Sequence, residues 1–154
     1  MATPTASFAV TNLGGYGTTA ASASVAIPET VNAYDTVTLV IATRQKTATI
    51  TMPGGWTSNG TLSHSDGPGR VEVWSRAGAF SAGSITISWS AGVNGKVGVL
   101  SADGLLDDCD LSQSSTGAYP TTHTAPSGTS ISTQTLAVHG VTTSDNPRRI
   151  VLAA

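Results

Sequence analysis

Three histidines (His64, His123, His139), a lone Cys109 and the acidic run Asp103, Asp107, Asp108 and Asp110 are the residues of this chain whose types most readily carry chemistry. Imidazoles move protons or hold zinc, a thiolate attacks or ligates, and grouped carboxylates attract hard cations. Spacing argues against each use. The histidines lie far apart in unlike contexts, and no His-Glu-x-x-His, Gly-x-Ser-x-Gly elbow, Walker loop or Cys-x-x-Cys pair is present. The segment Asp103-Gly104-Leu105-Leu106-Asp107-Asp108-Cys109-Asp110 offers oxygen ligands but lacks the alternating ligands of an EF-hand, so it reads as a solvated acidic loop. Asn59-Gly60-Thr61 matches a glycosylation acceptor and reads instead as a tight turn. The expectation is no catalytic residue, no metal ligand and no cofactor, hence no enzyme.

Recognition is the remaining chemistry, and two groups of residues are candidates for it. In Arg70-Val71-Glu72-Val73-Trp74-Ser75-Arg76 a period of two separates the valines from the charges. Val71 and Val73 are expected inward, leaving Trp74 exposed between Arg70 and Arg76 as a partner-binding face. An exposed indole also stacks on sugars, which makes a glycan the alternative ligand. The second group is Phe8, Val10, Leu13 and Tyr16, apolar side chains in a segment rich in Ala, Thr and Gly with no sustained period. Residues 1–21 therefore read as an extended N-terminal arm that orders against a neighbour, and residues 22–154 as the single folded domain.

The elements that must position these residues are strands. Ser and Thr number 43 of the 154 residues, only 10% are charged, and Gly and Pro take 24 positions against two Lys and two Glu. Such a composition suits pleated, half-buried surfaces and is poor in helix formers. Ala23, Val25 and Ile27 alternate before Pro28, and Thr36 to Ala42 has an apolar centre fit for a strand covered on both faces. Ala48 to Met52 alternates until Pro53-Gly54-Gly55, which delivers Trp56 to a core edge. A polar loop then leads to Arg70. Ile85, Ile87 and Trp89 share one side, and Asn94-Gly95 predicts a hairpin to Lys96–Ala102. Residues 103–130 are polar and turn-rich and long for a structureless loop, so they read either as an interaction loop or as holding a strand the pattern does not mark, with strand-like runs at 131–141 and 148–152. Seven or eight short strands with no amphipathic helical window predict an all-β, antiparallel two-sheet β-sandwich.

A net charge of −2 and a pI near 5.8 give no footprint for nucleic acid. No apolar run is long enough for a bilayer, the N-terminus does not look like a signal peptide, and a single cysteine precludes an intrachain disulfide. The expectation is a soluble protein made in the cytoplasm, with neither membrane nor nucleic acid among its partners.

The succession Ile-Pro, Asp-Thr-Val-Thr-Leu-Val-Ile, Ile-Thr-Met-Pro-Gly-Gly-Trp, Asp-Gly-Pro-Gly-Arg-Val-Glu-Val-Trp-Ser-Arg, Ile-Thr-Ile-Ser-Trp-Ser and Lys-Val-Gly-Val-Leu-Ser-Ala resembles a β-sandwich module of tailed-bacteriophage virion proteins, especially of phages that infect actinobacteria. The resemblance spans about Ser22 to Asp108. It implies a virion setting, made in the host cytoplasm and placed on the capsid surface as a decoration protein. The implied partners are the major capsid protein and further copies of the chain, as a trimer or a cluster at symmetry axes. A tail or fibre module that binds carbohydrate or the host surface is the alternative.

Overall fold

Runs rich in β-branched residues become strands wherever the sequence alternates, and further strands form where it does not. The computed structural model describes residues 6–14, 19–28, 30–31, 36–63, 68–102, 137–142 and 147–153. Among them are ten strands and no helix: β1 Ala6–Gly14, β2 Ala20–Ile27, β3 Thr36–Thr43, β4 Ile50–Thr51, β5 Thr57–Ser63, β6 Arg70–Ala77, β7 Gly83–Val93, β8 Gly95–Ala102, β9 Ala137–Thr142 and β10 Pro147–Ala153. All pairings are antiparallel, in a five-stranded sheet β1-β8-β3-β6-β5, a three-stranded sheet β2-β7-β4 and the hairpin β9-β10. The fold is an all-β two-sheet sandwich.

The core lies between the two sheets. Val37, Leu39 and Ile41 of β3 and Val97 and Val99 of β8 meet Val25 and Ile27 of β2 and Ile85, Ile87 and Trp89 of β7. These residues follow the period of two read from the sequence, and burial of each large side chain contributes about 1.5–3 kcal/mol. Trp56 joins the same cluster after the Pro53-Gly54-Gly55 turn.

Central strand β3 is buried on both sides, because Val40 and Ala42, which point away from that core, are only 3% and 1% exposed. Both edges of β3 are occupied by β6 and β8. The approach of β9 and β10 to β3, β6 and β8 is therefore face-on, on the side opposite the three-stranded sheet. That hairpin lies on the face that carries the buried Val40, Ala42 and Val73, so the sandwich has a third, partial layer.

Three expectations change. Residues 6–14 are extended, but they pair with the chain's own β8 and send Leu13 into the core, so they are a sheet strand rather than a free arm. The segment after Trp56 is not all loop: Thr57–Ser63 is an edge strand, and Asn59-Gly60, read as a turn, is a bulge within it, with Gly60 at φ 137°. Asn94-Gly95 closes no hairpin, since β7 and β8 belong to different sheets. It is a corner at which Asn94 O accepts from Arg44 N–H at 3.1 Å and Gln45 Oε1 accepts from Asn94 N–H at 2.9 Å. Gly95 has φ 155°, and a Cβ there would run into the Ala42 carbonyl, so the corner requires glycine twice over.

Candidate interaction surfaces

Arg70, Glu72, Trp74 and Arg76 share one face of β6, as the alternation predicts, but that face is the inner one. Antiparallel register sets them opposite Thr43, Ile41, Leu39 and Val37 of β3, three of which are core residues. Val71 and Val73 take the outer face, the one covered by the hairpin. The expectation that the valines point inward and Trp74 stands out in solvent is corrected accordingly. The physical reason is that both faces of this sheet are covered, so apolar residues are called for on each.

Most of the polar groups on the inner face of β6 pair with one another or with backbone, Arg70 Nε being left without a partner among the described residues. Glu72, 5% exposed, forms an ion pair with Arg70 and accepts a hydrogen bond from Trp74 Nε1 at 3.1 Å. Arg70 also donates to the Lys46 carbonyl at 2.8 Å and to the Ala48 carbonyl, tying β6 to the connection that leads into β4. A carboxylate so buried is stable only when paired and hydrogen-bonded. Arg70 and Glu72 thus act as packing elements, and Trp74 is half-buried against the core.

Beyond Trp74 the inner face opens into a small aromatic ledge. The Arg76 guanidinium carbon lies 4.4 Å from the centroid of the Phe80 ring, a cation–π distance. Phe80 meets Trp56 edge-on at 6.2 Å and 74°. Gly55, at φ 88°, lies beside the same guanidinium, which a Cβ at that position would touch. On the neighbouring β5, Ser58 and Thr61 pair with Trp74 and Glu72, and both are exposed. Trp74, Arg76, Phe80 and these hydroxyls are therefore brought together. Arg70 is taken up by the ion pair instead.

The N-terminal candidates occupy the other flank. Phe8, Val10 and Leu13 lie on β1, Phe8 pairing with Leu100 and Val10 with Gly98. Leu13 is 2% exposed and serves the core, whereas Val10 stands out at 44%. Tyr16 lies outside the described residues, as do His64, His123, Cys109 and the Asp103–Asp110 run. His139 is on β9, opposite Val151. Among the described residues no group of three or more His, Cys, Asp or Glu comes together to hold a metal.

The flank itself is the feature that residue types alone do not reveal. β1 is the last strand of the five-stranded sheet, β2 is the last of the three-stranded sheet, and the two lie side by side. Neither contains a charged residue or a proline. On the opposite flank β4 is only two residues long, which blunts that edge; bulges occur on both flanks, in β5 and also in β1 and β2. The described residues define an all-β sandwich with one flank that ends in a two-residue strand and one, formed by β1 and β2, on which no described strand pairs. No family model, curated protein or solved structure matches the chain.

Proposed function

We propose that this chain is a non-catalytic structural protein of a bacteriophage virion: a capsid decoration protein that binds the assembled head and stabilises it. The observation that carries the reading is the flank of β1 and β2, two uncharged strand edges side by side with which no described strand pairs. Unpaired edges of this kind bind other chains through main-chain hydrogen bonds, and a protein that leaves them open is suited to assembly. The resemblance of Ser22–Asp108 to phage virion sandwiches and the weakly charged, hydroxyl-rich composition support the same setting.

The partners on this reading are the major capsid protein and further copies of the chain, on the outer surface of the head. Binding the assembled shell but not its dissociated subunits stabilises the shell by mass action. Because residues 6–14 belong to the chain's own sheet, contact with the shell is assigned to folded surfaces rather than to a free arm. The test is the copy number and position of the protein on purified particles, by quantitative gel and electron microscopy. Hundreds of copies in register with the capsid lattice are expected, and absence from the particle refutes the proposal.

The ledge of Trp74, Arg76 and Phe80 favours a second reading, a tail or fibre module that binds a host-surface glycan. An indole held by Glu72 and flanked by hydroxyls and a guanidinium is pre-organised for an acidic sugar. A handful of copies at the tail, with glycan binding lost in Trp74→Ala, decides for this reading.

A further inference from the structure

Strand edges without a partner in a folded protein either take one or invite aggregation, and β1 carries neither a charge nor a proline to discourage pairing before its bulge at Asn12–Gly14. We propose that a second copy of this chain docks on the flank of β1 and β2, the two β1 strands pairing antiparallel about a twofold axis beside Val10. The proposal deepens the reading of this flank as an assembly surface, but it does not depend on a virion setting.

Three observations select a second copy as the occupant. Identical chains bring identical charges to a twofold contact, so a flank bearing Lys, Arg, Asp or Glu risks repelling itself; β1 and β2 carry none. Val10 is a large apolar side chain that stands out in solvent at 44% exposure, and it is the middle residue of Ala6–Gly14. Antiparallel pairing about that midpoint sets Val10 against Val10 and Phe8 against Asn12 of the second copy, over the regular part of the strand before its bulge at Asn12–Gly14. The two exposed valines then cover each other. Finally, one strand pair alone falls short of the roughly 1,200 Å² that a stable interface buries. An axis perpendicular to the sheets brings β2 toward β2 in the second layer, so both layers of the sandwich continue across the contact.

Two sheets joined in this way form one ten-stranded sheet, the two β5 edges remaining outermost. Pairing is isologous and closed, because both copies use the flank of β1 and β2 and the flank that ends in β4 does not propagate it.

The register makes the test specific. In antiparallel strands directly opposed Cβ atoms lie about 4.5–5.5 Å apart. Two Val10→Cys side chains therefore meet, whereas two Asn12→Cys side chains are offset by four residues, roughly 14 Å at ~3.4 Å per residue. The experiment uses the full chain with Cys109→Ser as background. Sedimentation velocity is expected to show a concentration-dependent dimer, V10C to be captured as a disulfide-linked dimer on oxidation and N12C to be captured poorly. Val10→Lys is expected to yield a monomer whose thermal midpoint matches that of the wild type at dilutions where the wild type is also monomeric. A monomer at every concentration overturns the proposal, as does a dimer that V10C does not capture and V10K does not dissociate. Particle association is measured separately, so a monomer that still decorates heads refutes this contact while leaving the virion reading intact.

Discussion

Glu72→Ala tests whether the charged face of β6 lies inside the sandwich. Two groups lose a partner when the carboxylate goes. The Arg70 guanidinium, whose side chain is 11% exposed, loses its counter-ion, and Trp74 Nε1 loses its acceptor. Breaking a buried ion pair from one side costs about 3–5 kcal/mol, because the remaining charge stays buried. Here Arg70 keeps the carbonyls of Lys46 and Ala48, which holds the cost near the lower end. Adding ~1 kcal/mol for the indole hydrogen bond gives a total of about 4 kcal/mol. For a chain of this size that corresponds to a fall in thermal midpoint of about 8–16 °C. Glu72→Gln keeps an acceptor for both donors but not the counter-charge, so it should recover only the ~1 kcal/mol of the indole hydrogen bond and still lose about 3 kcal/mol. The double variant Arg70→Met with Glu72→Leu removes both charges and should return to within about 1–2 kcal/mol of the wild type. Urea denaturation reads all four proteins, and equal m-values are required before midpoints are compared. A cost below about 1 kcal/mol for Glu72→Ala is the value of a solvent-exposed pair, and it would refute the inward orientation of this face.

Two further perturbations probe the scaffold. Gly95→Ala forces a Cβ into the Ala42 carbonyl at a backbone angle that L-residues avoid. It should cost about 3 kcal/mol or more, and a thermal midpoint within about 2 °C of the wild type would contradict the corner geometry. Deleting residues 2–14 removes β1 and buried Leu13, for which truncation alone costs about 2–5 kcal/mol. The midpoint in a thermal melt should fall by about 10 °C or more, whereas a dispensable arm would leave it unchanged.

The sandwich was legible in the sequence because its core strands obey one rule. Val25 with Ile27, Ile85 with Ile87, and the apolar centre of β3 alternate or run unbroken between Gly and Pro punctuation, and those residues are the core. What escaped is non-local. β1 carries no clean alternation because its residues are held by the β8 edge, with Leu13 reaching the core at a bulge. β5 is polar on both sides, since it is the outermost strand of the wider sheet and has little to bury.

The orientation of β6 shows where a period of two stops being informative. Alternation states which residues share a face, and Arg70, Glu72, Trp74 and Arg76 do share one. It does not state which face is inside. That sign is normally supplied by solvent on one side of the sheet, and here the β9-β10 hairpin covers the outer side. Val71 and Val73 answer to the hairpin, and the charged face answers to β3, the β4 connection and Phe80. The same argument explains why β3 reads as a continuous apolar run, a pattern usual for strands covered on both faces. A third layer on one side thus accounts for both the run in β3 and the inverted sense of β6. It also leaves the β1 and β2 edges as the side of the sandwich that no described strand covers.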